Sequence, residues 1–389
     1  MTTSTAEVYG ECDARFSAVR ETFAENFASY GDVGAAVAVT VDGKPVIDLW
    51  GGVSDKDTGK PWERDALVTV YSTTKGMTAI CAHRLVEQGL IDLNAPAATY
   101  WPEFAQAGKS DIPVHMLLSH RVGLPTVSEK LPDGAAFDWE TMTRALQRQR
   151  PFWEPGTRHG YHALTYGWLV GEIVRRVSGK SLGMFFRDEV AVPLGLDFHI
   201  GLDPSHDARV ATMYSAVVSP EVAQQMEQRQ TEVAKAMPPE LAKARANISI
   251  QGAHNSEEWR RAEIPAANGH SDARSLARVY GALSVGGDID GVHVLSPDSI
   301  KRSTVEQAIG QDTMLPNNTR FGLGFWLCLD GNMGPNDASF GHPGAGGSIG
   351  FADPEARIGF GYVMNQMKSG GVESDSTARR LIDALYRSL

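Results

Sequence analysis

A serine and a lysine three residues apart are the first pair in this sequence that could do chemistry. Ser72 and Lys75 stand in the segment 70–77, and no other lysine in the chain follows a serine at that distance. If this segment opens a helix, the two side chains lie on one face, one turn apart. A serine hydroxyl is a weak nucleophile until a neighbouring base takes its proton. The pair therefore predicts a nucleophilic serine, against the alternative of a helix-capping serine beside a solvated lysine.

A tyrosine with a possible role in proton transfer lies further along the chain. Tyr161 stands on a predicted turn in residues 154–167, just before a helix, where a side chain can project into a cleft. A lysine ammonium beside a tyrosine favours the phenolate and so lowers the pKa of the phenol. Such a shift would suit Tyr161 to proton transfer. A purely packing role is the alternative interpretation.

A glycine-rich stretch near the C-terminus, residues 340–350, contains five glycines. Glycines allow the backbone to approach a ligand closely and to direct N–H groups towards it. A tight hairpin turn explains the same composition. The stretch also contains Gly346-Gly-Ser348-Ile-Gly350, which fits the G-x-S-x-G nucleophile elbow, but that elbow requires a strand before the serine and a helix after it. Because a strand-like run follows here, Ser348 is not expected to be the nucleophile.

Composition and charge exclude several classes of partner. The 389 residues carry a net charge of −11 with a pI near 5.5, whereas nucleic acids and anionic membrane surfaces are bound by basic faces. No apolar run approaches the roughly 20 residues of a membrane span. The N-terminus shows neither the basic nor the apolar region of a secretory signal, so a cytoplasmic protein is expected.

Metal ions and cofactors are not expected either. The three cysteines, Cys12, Cys81 and Cys328, are widely spaced and form no C-x-x-C pair. The histidines match no metal-binding spacing, and no phosphate-binding loop is recognisable.

The distribution of hydrophobic patterns predicts an α/β (α+β) fold with an antiparallel sheet made from both chain ends, flanked by helices and interrupted by an all-helical insertion. This places one domain in residues 1–90 and 266–389 and the helical domain in 91–265. Residues 203–265 are expected to form either a lid over the site or, equally well, a solvated helical hairpin. Helices are expected at 6–30, 72–89, 166–178, 271–286 and 373–389, and strands at 34–41, 44–50, 322–329, 350–352 and 358–364.

These motifs, in this order, resemble the serine β-lactamase and penicillin-binding-protein superfamily, and most closely the class C β-lactamase-like carboxylesterases (family VIII esterases). Ser72-Thr-Thr-Lys75 matches the Ser-x-x-Lys motif, and residues 117–124 are similar to a structural segment of the family. Tyr161-His162-Ala163 stands where the family has Tyr-x-Asn, and His342-Pro343-Gly344 stands where lactamases have Lys-Thr-Gly. The resemblance covers about residues 37–367.

The resemblance implies acyl transfer through Ser72, with proton transfer carried out by Lys75 and Tyr161. Either of these two residues could be the general base. It also implies an oxyanion hole made by the backbone N–H groups of Ser72 and Ala345. The substrate site would include His342, Gly344 and Ala163. Two of these positions depart from lactamases, where a lysine holds the substrate carboxylate and an asparagine binds its amide.

The departures favour hydrolysis of short- to medium-chain carboxylic esters over lactam hydrolysis. The expected binding partner is a small-molecule ester, and the sequence does not indicate the oligomeric state. An acyltransferase and an amidase or β-lactamase are the alternatives within the enzyme class. An acyltransferase would change the acceptor from water to an alcohol or amine. An amidase or β-lactamase of the same family would change the leaving group. A binding protein without catalysis on this fold is the alternative from another class, and the complete Ser-Lys-Tyr set speaks against it.

Overall fold

A ten-stranded antiparallel sheet forms the centre of the computed structural model, which describes residues 6–250, 252–369 and 376–389. In chain order the strands are β1 (Val8–Cys12), β2 (Gly34–Val41), β3 (Lys44–Asp55), β4 (Lys60–Pro61), β5 (Val68–Thr69), β6 (Phe198–His199), β7 (His270–Ser271), β8 (Asp288–Ile289), β9 (Val292–His293), β10 (Ala308–Gln311), β11 (Asn318–Phe321), β12 (Trp326–Leu327), β13 (Phe340–Pro343), β14 (Ile349–Asp353) and β15 (Ile358–Met364). The order across the sheet is β1-β3-β2-β15-β14-β13-β12-β11-β10, with β4 beside β3. Strands from the two ends of the chain therefore meet in the middle, where β2 pairs with β15.

The α-helices lie around this sheet and in the long segment between β5 and β10. They are α1 (Ser17–Ser29), α2 (Thr74–Glu87), α3 (Val114–Leu118), α4 (Trp139–Arg148), α5 (Thr165–Ser178), α6 (Leu182–Phe186), α7 (Val192–Leu194), α8 (Pro220–Ala236), α9 (Pro239–Ala244), α10 (Glu257–Arg261), α11 (Ala273–Ser284), α12 (Pro297–Ser303) and α13 (Thr377–Arg387). Five of them, α3 to α7, follow one another between α2 and β6. The strands β5, β7 and β6 form a separate three-stranded sheet, and β8 and β9 form a hairpin.

The central strands are apolar on both faces because helices cover both. Every residue of β15 is buried, as expected for a strand with packed layers above and below it. On one face α11 approaches so closely that a Cβ added at Gly359 would lie 2.2 Å from the nitrogen of Gly281. On the other face the Tyr362 hydroxyl donates to Asp32 Oδ2 (2.6 Å) and lies 3.1 Å from Thr377 Oγ1 at the start of α13.

Most of the expected elements are present. The hairpin β2–β3 turns at Asp42-Gly43 as predicted, and α5 ends at Gly179 in the left-handed conformation (φ 73°). The predicted helices at 166–178 and 271–286 and the late strands β14 and β15 are confirmed within a few residues. The beginning of the final helix, residues 373–375, lies outside the described residues, and α13 occupies the remainder.

Two expectations are wrong. The helix expected to begin at residue 6 starts only at Ser17, because Val8–Cys12 instead pairs with the open edge of β3. Of the continuous strand expected at 322–329, only β12 (Trp326–Leu327) forms, and residues 322–325 connect it to β11. Gly324 adopts φ 93° there, and a Cβ at Gly322 would lie 2.3 Å from the carbonyl oxygen of Ser303, so the chain leaves the sheet to pass close to α12.

The segment expected to form a lid or a solvated helical hairpin, residues 203–265, contains α8, α9 and α10. None of the described side chains of α8 is buried. This helix is attached near its C-terminal end, where Val233 packs on a small apolar cluster of Trp153, Met237 and Leu241. No helix among residues 6–250, 252–369 and 376–389 has the length and apolar character needed to cross a bilayer.

Candidate active site

Ser72 lies on a tight turn immediately before α2. Successive N–H groups donate to carbonyls three residues earlier, from Thr73 to Val70 (3.2 Å), from Thr74 to Tyr71 (3.0 Å) and from Lys75 to Ser72 (2.9 Å). The helix therefore begins at Thr74, two residues later than predicted. The turn still brings the Lys75 Nζ atom to 3.1 Å from Ser72 Oγ.

The backbone before Ser72 is in an unusual conformation. Tyr71 has φ 47°, in the left-handed region that a bulky side chain seldom occupies. Its carbonyl accepts a hydrogen bond from Thr74 Oγ1 (2.5 Å), and Thr74 Oγ1 accepts one from the Gly269 N–H (2.9 Å). Such strain persists where the surrounding structure holds it, and it is common at reactive turns. Here the turn leaves Ser72 half-buried while Tyr71 and Thr73 on either side are buried.

Lys75 is completely buried, and its amine forms hydrogen bonds with three oxygen atoms. Nζ donates to the carbonyl oxygens of Ala163 and Ala266, each at 2.8 Å, in addition to its contact with Ser72. Burial lowers the pKa of Lys75 well below its ordinary value of 10.5. The segment that contains Ala266 passes directly alongside α2, and nothing in its sequence indicated that it would hold the lysine.

Tyr161 is buried beside this pair. The Lys75 Nζ lies 4.7 Å from the centre of the Tyr161 ring, and the phenol and the Ser72 hydroxyl interact. The ring is parallel to that of Phe321, with centroids 6.1 Å apart. Burial raises the pKa of Tyr161 above its ordinary value of 10.0, so the expected lowering is wrong. The physical reason is that desolvation opposes the phenolate, and the buried lysine itself disfavours its charged form.

Two histidines hold the turn that carries Tyr161. The N–H of His162 donates to His120 Nδ1 (3.2 Å), and the N–H of Gly160 donates to the His120 carbonyl (3.1 Å). His162 Nε2 accepts from the N–H of Leu124 (2.9 Å). Burial lowers the pKa of His120, and it lowers that of His162 to about 3. Both are neutral structural residues, and residues 117–124 act as a support for the tyrosine turn.

The sequence did not identify Asp312, whose buried carboxylate accepts the Tyr161 N–H (3.0 Å to Oδ1). An aspartate that accepts backbone N–H groups two and three residues later is typical of a turn, and Asp312 does this with Met314 and Leu315. That local signal was available in the sequence. The contact with Tyr161, 151 residues away, was not.

The glycine-rich loop lies against the Ser72 turn. Ser348 Oγ donates to the Val70 carbonyl (2.8 Å) and lies 3.3 Å from Thr73 Oγ1, so this buried hydroxyl ties the two loops together. A Cβ added at Gly344 would lie 2.1 Å from Ser348 Oγ and 2.3 Å from the Val70 oxygen. Only glycine permits this approach.

Ala345 follows at the exposed start of a short 3₁₀ turn. Within the described ranges, neither its N–H nor that of Ser72 donates to a protein acceptor. Both N–H groups are therefore available for an oxyanion.

The two positions that depart from lactamases occupy different environments. His342 is buried with Nδ1 2.7 Å from the Pro343 carbonyl, and burial lowers its pKa well below 6.5. It is neutral and cannot replace a lysine cation. The ring lies 5.9 Å from that of Tyr161. Ala163 exposes its methyl group, while its carbonyl holds Lys75. All the predicted site residues thus lie together, and no metal-binding cluster of three His, Cys, Asp or Glu side chains occurs among the described residues.

The chain belongs to the beta-lactamase family, whose match extends over residues 19–384. Among curated proteins it is similar to "Esterase/beta-lactamase LipL" of Mycobacterium tuberculosis, with 35% identity over 95% of this chain and 85% of that protein. The predicted family and the enzyme class, a serine hydrolase, are confirmed.

Solved structures agree with this assignment. A family VIII carboxylesterase is 41% identical with a TM-score of 0.90, covering 98% of this chain and 100% of that one. A penicillin-binding-protein homologue from Caulobacter crescentus is 38% identical with a TM-score of 0.86, again covering 98% of this chain and 100% of that one. The predicted fold class is therefore confirmed as well.

Proposed function

We propose that this chain is a serine carboxylesterase that hydrolyses short- to medium-chain carboxylic esters through an acyl-enzyme on Ser72. The environment of Lys75 carries the proposal, since Nζ has two carbonyl oxygens at 2.8 Å and the Ser72 hydroxyl at 3.1 Å. A neutral lysine amine has two N–H bonds and one lone pair. The carbonyls of Ala163 and Ala266 take the N–H bonds, which directs the lone pair at the hydroxyl, as a general base requires.

In the acylation step, Lys75 takes the Ser72 proton as Oγ bonds to the carbonyl carbon of the ester. The backbone N–H groups of Ser72 and Ala345 stabilise the oxyanion. The bond to the alcohol oxygen then breaks, and Tyr161, which burial keeps as a neutral phenol, gives its proton to the leaving alkoxide. The Lys75 ammonium returns a proton to Tyr161, so both residues regain their starting state.

In deacylation, water is the nucleophile and Ser72 Oγ becomes the leaving group. A water molecule attacks the acyl carbon, and Lys75 takes one of its protons. The same two N–H groups stabilise the second oxyanion. When the bond to Ser72 Oγ breaks, the serine recovers its proton from the lysine and the carboxylic acid leaves. We assign Lys75 as the base in both half-reactions, a choice that the sequence left open and that its contacts with Ala163, Ala266 and Ser72 support.

The preference for esters over lactams is supported by His342 and Ala163. A neutral, buried imidazole supplies no positive charge for a substrate carboxylate, and a methyl group supplies no amide for hydrogen bonding. The printed names of the similar proteins, an esterase/beta-lactamase and a family VIII carboxylesterase, support the same substrate class. The division into residues 1–90 with 266–389 and 91–265, and the role of residues 203–265 as a lid, stay predictions, as does a cytoplasmic location.

The test combines turnover and labelling. The protein is assayed with p-nitrophenyl acetate, butyrate and octanoate and with nitrocefin, and Ser72→Ala is assayed in parallel. We expect kcat/KM for the best ester to exceed that for nitrocefin, and Ser72→Ala to lower it by about 10³-fold or more. A fluorophosphonate probe should label Ser72, and Ser348→Ala should retain the label on Ser72.

Faster turnover of nitrocefin than of any ester would contradict the ester assignment. Labelling of Ser348 would contradict the assignment of the nucleophile. Alcohol acceptors and aryl amides added to the same assay test the acyltransferase and amidase alternatives.

A further inference from the structure

We propose that Asp312 is a positioning residue of the esterase reaction, because its carboxylate fixes the main chain at Tyr161 and thereby the place of the phenol beside Ser72. The inference rests on the proposed function, in which Tyr161 gives a proton to the leaving group. Asp312 lies in the connection between β10 and β11. Its side chain has no exposed surface.

Both carboxylate oxygens of Asp312 accept hydrogen bonds. Oδ1 accepts from the N–H groups of Tyr161 (3.0 Å), Met314 (2.7 Å) and Leu315 (3.0 Å), and Oδ2 accepts from the Tyr161 N–H (3.1 Å) and Thr319 Oγ1 (3.0 Å). Every partner is a donor, and a carboxylate is the side-chain group that accepts at both atoms and donates at neither. An asparagine would place an N–H₂ group against a donor.

The same segment also holds the residues before Tyr161. The N–H and the hydroxyl of Thr313 donate to the His159 carbonyl, at 3.1 Å and 2.7 Å. Gly160 is enclosed between this segment and Trp153, since an added Cβ would lie 2.9 Å from a carbon atom of each. The backbone leading into Tyr161 is therefore held at two consecutive peptide groups.

This attachment matters for chemistry because the ring and the main chain of Tyr161 are held separately. The ring packs among the rings of Phe321, Trp326, His120 and His342. The carboxylate of Asp312 holds the main-chain N–H, so loss of that hydrogen bond would let the main chain shift and move the phenol with it. A displacement of about 1 Å in a catalytic group costs on the order of 10²-fold in rate. The negative charge of Asp312 also helps to raise the pKa of Tyr161, which keeps the phenol protonated.

The test compares two butyrate esters that differ in their leaving group. Ethyl butyrate releases a basic alkoxide that needs a proton, whereas p-nitrophenyl butyrate releases a phenolate that leaves without one. Asp312→Asn is expected to lower kcat for the ethyl ester about 10- to 100-fold, and for the p-nitrophenyl ester by much less, with KM changing by less than about threefold. Tyr161→Phe should show the same discrimination between the two esters.

Asp353→Asn is the matched control. Asp353 is also a fully buried carboxylate, at the last residue of β14 before the turn to β15. It accepts from the N–H groups of Glu355 (2.9 Å) and Ala356 (3.0 Å) and from Asn336 Nδ2 (2.8 Å). The substitution should lower the melting temperature and leave kcat per folded molecule unchanged for both esters.

A double-mutant cycle completes the test. If Asp312 acts through Tyr161, Asp312→Asn should slow the Tyr161→Phe enzyme little further on ethyl butyrate. Equal losses on both esters, or additive losses in the double variant, would overturn the inference while leaving the proposed function intact. If Tyr161→Phe itself fails to discriminate between the esters, the proton role of Tyr161 is wrong and the inference falls with it.

Thr319→Val is a milder perturbation of Asp312 than Asp312→Asn, since it removes one hydrogen-bond donor to Asp312 without changing the size of the side chain. A smaller loss with the same discrimination between esters is expected. An equal loss on both esters would overturn the inference even if Asp312→Asn does not fold.

Discussion

Replacing Lys75 by methionine should make stability depend on pH less than it does in the wild type. In the folded protein, burial lowers the pKa of Lys75 well below 10.5, whereas in the unfolded chain it returns to that value. Between these two pKa values the unfolded state therefore holds one more proton than the folded state. Wild-type stability then rises with pH through this window, because the charging of the unfolded lysine fades as the pH approaches 10.5.

The magnitude follows from linkage. A difference of one bound proton changes the free energy of unfolding by about 1.4 kcal/mol per pH unit. Lys75→Met has no such group. The free energy of unfolding of the wild type should therefore rise by about 1.4 kcal/mol per pH unit relative to that of the variant. The variant also leaves the carbonyls of Ala163 and Ala266 without their donor, at about 1–3 kcal/mol each. This second effect does not vary with pH, so the slope isolates the protonation of the lysine.

The assay is urea unfolding at several pH values from 7 to 9.5, with the two proteins compared at each. Lys109→Met is the matched control, since Lys109 is another buried lysine whose amine donates to two carbonyls, those of Gln147 (2.8 Å) and Gln149 (2.6 Å). Burial lowers its pKa only to about 8. The difference in free energy of unfolding between wild type and Lys109→Met should therefore begin to change with pH near pH 8, while that for Lys75→Met should begin to change at a lower pH.

A flat difference between wild type and Lys75→Met from pH 7 to 8 would refute the reasoning. It would mean that Lys75 keeps its proton in the folded protein, and a protonated lysine cannot take one from Ser72. Esterase activity provides a second readout, since Lys75→Met should lose about 10³-fold or more in kcat/KM.

Three further substitutions address the surroundings of the nucleophile. Gly344→Ala should displace the glycine-rich loop, because its Cβ would lie 2.1 Å from Ser348 Oγ. The displaced oxyanion hole should lower kcat about 10²- to 10³-fold. Unchanged turnover of p-nitrophenyl butyrate would contradict this role of the loop. Ser348→Ala should reduce the free energy of unfolding in urea by about 1–3 kcal/mol, because the buried Val70 carbonyl loses its donor, and a protein as stable as wild type would argue against that bond. Ala163→Asn restores a side-chain amide at an exposed position, so kcat/KM for nitrocefin should rise about fivefold, the equivalent of one hydrogen bond of about 1 kcal/mol, with ester turnover as the control. A fall in nitrocefin turnover would show that the amide is not accommodated.

Local sequence rules were sufficient where the interactions are local. The spacing of Ser72 and Lys75 brings their side chains together even though Ser72 lies on a turn rather than inside α2. Alternation and turn residues located the hairpin β2–β3, and helical periodicity located α5 up to Gly179. In the same way, the absence of a helix-forming stretch after Ser348 correctly argued against a nucleophile elbow, since β14 follows it.

Interactions between distant segments could not be predicted in this way. The N-terminal residues 8–12 look helical in isolation, and only the open edge of β3 makes them a strand. The acceptors of Lys75 come from Ala163 and Ala266, 88 and 191 residues away. They are main-chain carbonyl oxygens, which a residue of any type would provide, so the sequence does not mark them. Asp312 is likewise brought to Tyr161 only by the pairing of β10 and β11.

By itself, then, the sequence determined the candidate catalytic groups, their order along the chain and the class of enzyme, because a hydroxyl, an amine and a phenol keep their identities in any environment. The tertiary structure decided their protonation states. Burial removes the water that would stabilise a charged Lys75 or a Tyr161 phenolate, and both pKa values move in the direction that leaves each group neutral. The expected lowering of the Tyr161 pKa was wrong for this reason, since it counted the neighbouring lysine as a cation and left out the desolvation of both groups.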